Sequence, residues 1–486
     1  MNFLRSLFSK TIEALPYAFI FLATFRFPID SDLGWHLKHG EYFILNRAIL
    51  DINTLSSGMP NFHYINHSWL FDVLSFLIYD LWGFLGLSFF SALFVVLIFY
   101  FVTKITELNF WQKAIVFPLF LWLELENFKS SFNVSFFSTL LMTIILYLLV
   151  RFRQKKELLT FVSILAITAV WTNIHGQFAV GLTLIGVFVA SYFLEKILMR
   201  APIWSKEDLP ILLLLPLSFV STLINPYGIR IYEVVFGHFL SPTLSTRIYE
   251  WQSPIGNPYL TLILGILVII SLSAIFFLIR KKIFLKNLFF ILIATFFIIP
   301  SFSANRYLWL AIILSIPLFS AVLRQYHPTN KLVKNLAIVV FLILYLWAGL
   351  FNFPYKSFIY PSWKTFCIYQ SCSDRAAGFM IKNNLTRDVF TTYELGGYLI
   401  WNYPEIKPFV DGRMSAWVDE KGYSAFEEIS NYEYNVKSID NSGFNTVFIT
   451  KSKPIYEEME KLTEEEKWEK VFEDFHAVVY TRKSYP

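Results

Sequence analysis

The sequence predicts a polytopic α-helical membrane protein of about eleven spans with a small α/β domain at its C-terminal end. Hydrophobic residues make up 56% of the chain and charged residues only 16%, and many apolar runs are long enough to cross about 30 Å of hydrocarbon. Beyond about residue 353 the apolar runs shorten and the charge rises. The net charge is only +5, and the basic residues lie in short clusters between apolar runs. The composition therefore indicates neither a soluble globular protein nor a nucleic-acid-binding one.

The N-terminal segment predicts a first span. Arg5 and Lys10 precede an apolar run of about residues 11–27, and no small-residue cleavage site follows it. We therefore expect a retained span whose N-terminal end is cytoplasmic, and not a removed signal peptide.

A long external loop, about residues 28–83, is expected next. Its first part is too polar to span but has an apolar helical face, which is typical of a helix lying on the membrane surface. The stretch from Trp69 to Gly83 contains Asp72 and Asp80, and its roughly 15 residues fall short of the ~20 that a span needs. We interpret it as a second interfacial helix.

Ten further apolar runs each approach the length that a bilayer requires. They cover about residues 84–103, 110–127, 132–150, 158–174, 176–198, 209–225, 259–279, 285–301, 305–323 and 333–352. With residues 69–83 outside the membrane, about 18 basic residues fall on the cytoplasmic side and about 7 on the external side, as the positive-inside rule requires. The odd number of spans then places the tail outside.

The tail, residues 353–486, alternates short strands and helices as an α/β domain does, whereas residues 1–352 form the transmembrane domain. Strands are predicted at Asp388–Thr392, Lys407–Asp411, Thr446–Thr450 and Ala477–Thr481, and helices near Arg375–Asn384, Asp419–Ser430 and Ile455–Lys461. The only cysteines, Cys367 and Cys372, lie at the entrance of this domain. They form either one local disulfide, which an external location favours, or two free thiols.

Two carboxylates at the start of the external loop, Asp30 and Asp32, are the first functional candidates. Ionisable groups beside hydrocarbon are costly, so they are functional candidates by default. The alternative is that Ser31 or Asp32 only caps a helix that begins near Leu33. Capping accounts for one acid and not for two, which favours a functional pair.

Several motifs together resemble the C-type glycosyltransferase superfamily of multi-span membrane enzymes. Asp30-Ser31-Asp32 opens the first external loop, where this superfamily carries a modified acidic motif. The runs DSDLGWHLKHGEYFI and INHSWLFDVLSFLIYDLWG resemble a bacterial branch of it. So do the stretches Trp171-Thr172-Asn173-Ile174-His175-Gly176, Asn225-Pro226-Tyr227-Gly228 and Glu250-Trp251-Gln252-Ser253-Pro254.

The tail is similar in layout to oligosaccharyltransferase catalytic subunits. Their WWDYG stretch and the strand after it are matched in position by Thr392-Tyr393-Glu394-Leu395-Gly396-Gly397-Tyr398 and Phe409-Val410-Asp411-Gly412-Arg413. Tyr393, Glu394 and Leu395 depart from that motif, so the resemblance does not imply binding of a peptide sequon.

The resemblance implies an enzyme of the bacterial cytoplasmic membrane with an external C-terminal domain. It would move a sugar from a polyprenyl-phosphate-linked donor to an extracytoplasmic glycan, lipid or protein acceptor, with inversion. Such a transfer needs a base, which one carboxylate of the Asp30 and Asp32 pair could supply, and stabilisation of the charge on the leaving phosphate. The pair could also hold Mg²⁺ or Mn²⁺, although two acids need water or substrate oxygens to complete such a site.

Three arginines on the predicted external side are candidate ligands of the donor phosphate. They are Arg230, Arg247 and Arg306. Each alone also suits an interfacial arginine that reaches to lipid headgroups. Arg306, at the outer end of a span, is the strongest of the three.

Candidate substrate contacts come from both parts of the chain. They are Trp35, His36, His67, Trp69 and His175 in the first part, and Tyr393, Glu394, Asp411 and Arg413 in the tail. The histidines suit hydrogen bonds to sugar or phosphate better than zinc, since no pair has an H-E-x-x-H pattern. Structural alternatives remain for each: a satisfied core histidine, an interfacial tryptophan belt, or an ion pair within the tail.

A non-catalytic transporter or flippase of lipid-linked saccharide, with an external sensing domain, is the second hypothesis. Transporters carry polar residues or broken helices at mid-membrane. Here the predicted spans are mostly uncharged, with Glu124 and Glu126 near an outer end as the main exceptions. Polar residues gather instead at the external surface, which favours surface chemistry.

Overall fold

The computed structural model describes residues 2–325, 331–359 and 361–483, and the chain divides into two compact units. The first unit comprises Met1–Arg26, Ser88–Ile231 and Ser245–Pro354. The second unit comprises Phe27–Leu87, Tyr232–Leu244 and Tyr355–Pro486. The structure therefore groups the predicted external loop with the tail and not with the spans before and after it.

The first unit is built from apolar helices. Among the described residues of the chain, seven helices are long and apolar enough to cross a membrane, judged by length and composition. They span Trp69–Thr106, which begins in the second unit, Val134–Lys155, Phe178–Leu198, Pro258–Arg280, Leu285–Phe302, Asn305–Gln325 and Leu332–Leu350. Shorter apolar helices span Ile12–Thr24, Phe110–Leu123, Leu158–Thr172 and Leu209–Ser221. The chain is thus a multi-pass membrane protein, and the number of eleven spans stays a prediction.

Asparagine side chains begin several of these helices. Asn109 Oδ1 accepts a hydrogen bond from Gln112 N at 3.2 Å, and Gln112 Oε1 accepts one from Asn109 N at 3.0 Å, which forms a capping box. Asn133 and Asn257 likewise accept from backbone N–H groups of the helices that follow them. These caps satisfy backbone donors that hydrocarbon cannot satisfy.

Gly83 interrupts the helix Trp69–Thr106. Its φ of 57° and ψ of −148° are non-helical, and such a positive φ favours glycine because glycine has no Cβ. The predicted boundary between an interfacial helix over residues 69–83 and a span that begins at residue 84 coincides with this kink. Asp72 and Asp80 both precede it.

The second unit combines the predicted external loop with the tail domain. Besides the first part of Trp69–Thr106, the helices that lie wholly or mostly in it span Leu33–Asn46, Ile231–Leu240, Tyr355–Ile359, Trp363–Gln370, Asp374–Lys382, Leu395–Asn402, Ala425–Glu433 and Ile455–Glu464. The strands are β1 (Val389–Thr391), β2 (Thr446–Thr450), β3 (Trp468–Glu473) and β4 (Ala477–Arg482). They form one sheet in the order β1-β2-β4-β3, in which β1 and β2 are parallel and the other pairs antiparallel. The predicted α/β domain is confirmed, although its charged third strand was not predicted.

The predicted strand Lys407–Asp411 is wrong. These residues lie outside the sheet, and their backbone pairs with the loop of residues 28–83: Ser57 N donates to Pro408 O and Gly58 N to Phe409 O, both at 2.9 Å. The backbone carbonyl groups of this apolar run are therefore hydrogen-bonded to residues about 350 positions away in sequence, and not to a neighbouring strand.

Glycines allow two helices of the second unit to cross at backbone contact. A methyl group built on Gly34, in helix Leu33–Asn46, would overlap the carbonyl of Gly397, in helix Leu395–Asn402. A methyl group on Gly397 would overlap the carbonyl of Ser31 in turn. This close approach holds the segment that contains Asp30 and Asp32 against the tail.

Cys367 and Cys372 form a disulfide at the entrance of the tail domain, with their Cα atoms 4.5 Å apart. Cys367 belongs to helix Trp363–Gln370, and Ser371 ends that helix with a φ of 53°. The structure thus has the bonded form and not two free thiols.

Candidate active site

Asp30 and Asp32 lie in a turn directly before helix Leu33–Asn46. Asp30 Oδ1 accepts a hydrogen bond from Asp32 N at 2.9 Å, and Asp30 O accepts one from Leu33 N at 3.2 Å. Asp32 occupies the N-cap position, but its side chain makes no capping hydrogen bond. Capping of the helix therefore does not explain the carboxylate of Asp32.

The half-buried Asp32 carboxylate lies against the tail. Its neighbour there is Gly412, because a methyl group built on Gly412 would overlap Asp32 Oδ1. Burial and the nearby charges of Asp30 and Asp411 raise the pKa of Asp32 to about 7, against the opposing influence of an adjacent imidazole and indole. A carboxylate with a pKa near the operating pH is suited to accept a proton.

The indole of Trp35 lies beside this carboxylate and is only 7% exposed. Its Nε1 makes no hydrogen bond of normal geometry to any described residue. The ring packs against His36, with the two centroids 3.6 Å apart. The N–H group points to the region of the Asp32 carboxylate, whose pKa it lowers, so this donor is a candidate to meet a substrate oxygen beside that carboxylate.

His36 and His39, one helical turn apart, both contact a single buried carboxylate. Asp72 Oδ1 lies 2.6 Å from His36 Nδ1, and Asp72 Oδ2 lies 3.2 Å from His39 Nδ1. Asn66 Nδ2 and Ser68 Oγ donate to the same carboxylate, at 3.0 and 3.3 Å. Asp72 is 1% exposed, so these four partners replace the water that it loses on burial.

His39 extends this network to the tail. Its Nε2 lies 3.1 Å from Tyr64 Oη and 3.3 Å from Arg413 Nη1. Burial lowers the pKa of His39, although the neighbouring Asp72 opposes the shift. The ring is therefore neutral near pH 7, and its Nε2 can accept a hydrogen bond from the guanidinium.

Arg413 and Asp411 form a buried bidentate ion pair. Arg413 Nε donates to Asp411 Oδ1 and Arg413 Nη2 to Asp411 Oδ2, both at 2.7 Å. From the loop of residues 28–83, Asn53 Oδ1 accepts from Arg413 Nη2 at 3.1 Å, and Ser56 Oγ donates to Asp411. Burial would raise the pKa of Asp411, but the Arg413 charge and hydrogen bonds hold it below its usual value. The pair thus ties the tail to the loop that carries Asp32.

Tyr393 and Glu394 lie in the turn before helix Leu395–Asn402. Tyr393 Oη donates to Gly412 O at 3.2 Å, so it supports the loop beside Asp32. Glu394 Oε1 accepts from Lys453 Nζ at 2.5 Å, and the same ammonium group lies 2.5 Å from Glu433 Oε1. Glu394 therefore belongs to an ion-pair cluster within the tail.

His67 and Trp69 precede Asp72 in the chain. The ring of His67 lies 6.2 Å from that of His238, and burial with the charge of His238 lowers the pKa of His67 to about 4. The ring of Trp69 lies 5.5 Å from that of Phe43. Both side chains are packed against neighbours of the second unit.

The strongest predicted phosphate ligand, Arg306, lies in the first unit. Its Cζ is 4.1 Å from the centre of the Trp251 ring, and its Nη1 is 3.7 Å from Glu250 Oε1. The preceding residue, Asn305, donates through Nδ2 to Tyr249 O at 2.8 Å. These contacts join the start of helix Asn305–Gln325 to the motif that begins at Glu250.

The other predicted contacts of the first unit lie in separate elements of the chain. Arg230 ends a short helical turn and is exposed, and Arg247 ends a helix of six residues. His175 Nδ1 lies 2.8 Å from Ser138 Oγ, which also accepts from Trp171 Nε1 at 2.9 Å. His175 and Trp171 thus anchor their motif to helix Val134–Lys155.

Within the described ranges, no group of three or more His, Cys, Asp and Glu side chains is arranged to hold a metal ion. Asp30 and Asp32 supply two carboxylates, and a divalent cation there would need further oxygens from water or substrate.

Sequence reasoning does not single out several residues of the network as functional. They are Asn53, Ser56, Tyr64, Asp72 and Gly412. Asp72 carries a signal, since it is a carboxylate within an apolar stretch. The others are ordinary loop residues by sequence, and only their contacts across the second unit identify them.

No protein-family model matches the chain, and none of the curated proteins is similar to it in sequence. Solved structures are similar in fold. ArnT from Cupriavidus metallidurans, bound to undecaprenyl phosphate, aligns with 99% of this chain and 98% of its own length, at 11% identity and a TM-score of 0.56. AglB, the oligosaccharyltransferase from Archaeoglobus fulgidus in complex with an inhibitory peptide and a dolichol-phosphate, aligns with 92% of this chain and 70% of its own, at 9% identity and a TM-score of 0.52. The predicted fold is confirmed: the chain shares the fold of ArnT and AglB.

Proposed function

We propose that this chain is a membrane glycosyltransferase that moves a sugar from a polyprenyl-phosphate-linked donor to an extracytoplasmic acceptor, with inversion. The observation that carries the proposal is the half-buried Asp32 carboxylate, which lies beside Asp30 at the rim of a buried polar network and has a raised pKa. A carboxylate tuned toward neutral pH is the group that such a transfer needs. The shared fold with ArnT and AglB supports the same class of reaction.

In the proposed step Asp32 accepts the hydroxyl proton of the acceptor as the acceptor oxygen attacks the anomeric carbon of the donor sugar. The bond from that carbon to the phosphate oxygen breaks, and the electron pair leaves with the polyprenyl phosphate. Attack from the face opposite the leaving group inverts the configuration. Because a phosphate leaves readily, positioning and one base supply most of what the chain must add.

Asp30 takes one of two roles beside Asp32. Either its charge keeps the Asp32 pKa high, or both carboxylates hold Mg²⁺ or Mn²⁺, which would neutralise charge on the donor phosphate. A cation bound to Asp32 would lower its basicity, so base and cation ligand are alternative roles for that residue.

Arg306 is the proposed ligand of the donor phosphate, with Arg230 and Arg247 as the second candidates. The Arg306 guanidinium is held over the Trp251 ring, and its 3.7 Å separation from Glu250 is too long for a hydrogen bond. Its planar fork of donors suits bidentate contact with a phosphate. Trp35 Nε1 is the proposed donor to an oxygen of the sugar, since it lies beside the Asp32 carboxylate and makes no hydrogen bond of normal geometry to a described residue.

The N-terminus is proposed to be cytoplasmic and the tail extracytoplasmic. The disulfide between Cys367 and Cys372 suits an oxidising compartment, and the distribution of basic residues agrees. We expect a reporter fused after Pro486 to be active only outside the cytoplasm, and thiol reagents to label the two cysteines only after reduction. A reporter that is active only in the cytoplasm would contradict this orientation.

Transfer can be measured in membranes that contain the chain and a radiolabelled polyprenyl-phosphate sugar. We expect the label to leave the lipid donor and to appear on an acceptor or in the aqueous phase, and Arg306→Ala to raise the KM for the donor. Arg324→Ala, at an exposed arginine near the other end of the same helix, is the control. Label that crosses the membrane while it stays on the lipid would instead support the transporter hypothesis.

A further inference from the structure

We infer that Gly412, in the tail, is a positioning residue for Asp32, because the space left by its missing side chain is where the Asp32 carboxylate lies. The inference rests on the proposed function, since it assigns a role within the same site. It makes the tail domain a part of that site and not an appendage to it.

The contact between the two residues is close and specific. A methyl group built on Gly412 would overlap Asp32 Oδ1, lie 2.6 Å from Asp32 Cγ and lie 2.8 Å from Trp35 Nε1. Real Cβ atoms essentially never have contacts under 3.0 Å. The three nearest atoms all belong to side chains of the proposed site, and none of them is a backbone atom.

The backbone at Gly412 does not itself require glycine. Among the described glycines, only Gly83, Gly228 and Gly422 have a positive φ. Gly412 begins the helical turn Gly412–Ala416, where alanine is more favourable than glycine by its intrinsic propensity. The constraint on this position therefore comes from Asp32 and Trp35.

The loop around Gly412 is held in place. Asp411 is paired with Arg413, and its Oδ1 also accepts from Arg413 N at 3.0 Å. Tyr393 Oη donates to the carbonyl of Gly412. On the other side, a methyl group on Gly396 would lie only 2.7 Å from Asp411 Cβ. The loop thus has little room to retreat, whereas a carboxylate can rotate about its side-chain bonds.

Alanine at position 412 should therefore displace the Asp32 carboxylate and leave the fold in place. A misplacement of about 1 Å can cost on the order of 10²-fold in rate. We expect Gly412→Ala to lower kcat by about that factor, with the KM for the donor changed by less than about threefold. Gly443→Ala is the control, because a methyl group there meets no atom within 4 Å; its turnover should equal that of the wild type.

A double-mutant cycle tests whether the Gly412→Ala substitution lowers activity through Asp32 or independently of it. If Gly412 acts only through Asp32, Gly412→Ala in the Asp32→Asn background costs no further activity. Additive losses, or wild-type turnover in Gly412→Ala, would overturn the inference. Wild-type turnover in Asp32→Asn would contradict the proposal that Asp32 is the base. If Asp32→Asn is inactive but Gly412→Ala is fully active, the proposed base stands and only the role of Gly412 is contradicted.

Stability gives a readout that does not depend on activity. Should Gly412→Ala lower the yield or the Tm of the folded protein, Asp32→Ala in the same chain is expected to restore it, because the overlapping carboxylate is gone. A defect that persists in full in this double variant would show that the contact with Trp35 Nε1, and not the overlap with Asp32, limits this position, and it would contradict the inference.

Discussion

Asp32→Asn is expected to lower the turnover number by about 10²-fold or more, because the amide cannot accept the acceptor proton. The amide has nearly the shape of the carboxylate and fits the same space beside Gly412, so the amount of folded protein should not change. The measurement is sugar transfer from the labelled lipid donor at matched protein levels. Asp80→Asn, which changes an exposed carboxylate of the same loop, should keep wild-type activity.

The stability of the Asp32→Asn variant distinguishes a catalytic from a structural carboxylate. The pKa of Asp32 is about 7 in the folded protein, above the 3.8 of an ordinary aspartate. The folded state therefore binds this proton more tightly than the unfolded state, and its stability falls as the pH rises from about 4 to about 7. Asparagine does not titrate, so the variant should be at least as stable as the wild type at pH 8. A lower Tm at pH 8 that parallels the lost activity would indicate a structural role instead.

The pH profile tests the same carboxylate through its neighbour. If Asp32 must be ionised, wild-type kcat should rise with pH through about 7. Asp30→Asn removes a charge that raises the pKa of Asp32, so the rising limb should move to lower pH in whatever activity remains. If the rising limb of the pH profile of Asp30→Asn stays at the wild-type pH, the proposal that Asp32 is the base is contradicted.

Arg413→Met is expected to destabilise the protein by about 3–5 kcal/mol, because it leaves the Asp411 carboxylate buried without its countercharge. Asp411 is fully buried, and Arg413 supplies two of its hydrogen bonds at 2.7 Å. The variant also loses the contacts of the guanidinium with Asn53 and Tyr64 in the loop of residues 28–83. Thermal unfolding in detergent, followed as the loss of monodisperse protein, measures the change.

Two further variants identify the physical cause of that loss. Asp411→Asn in the Arg413→Met background removes the buried charge and should recover part of the stability. Lys451→Met breaks an ion pair with Glu473 in which both side chains are about one third exposed, and it should cost no more than about 1 kcal/mol. An Arg413→Met variant as stable as Lys451→Met would show that the buried pair contributes little.

Local patterns predict well those features that depend on neighbours in sequence. The lengths of the apolar runs predict the helices of the first unit. The short run 69–83, which contains two aspartates, predicts a separate segment, and the structure has its kink at the end of that run, at Gly83. The strand Lys407–Asp411 fails because its backbone partners are Ser57 and Gly58, which no local pattern reports. The third strand of the sheet is hidden because its charged residues mask the alternation of a half-buried strand.

The sequence by itself determined that Asp30 and Asp32 are candidates, because their type and their position after the first apolar run are visible without a structure. Only the tertiary structure decided what surrounds them: Gly412 against the Asp32 carboxylate, Asp72 behind His36, and Arg413 joined to both loop and tail. The physical reason is the range of each signal. Periodicity and capping act over a few residues, whereas burial, hydrogen bonding and pKa depend on distance in space, and here they join residues more than 300 positions apart.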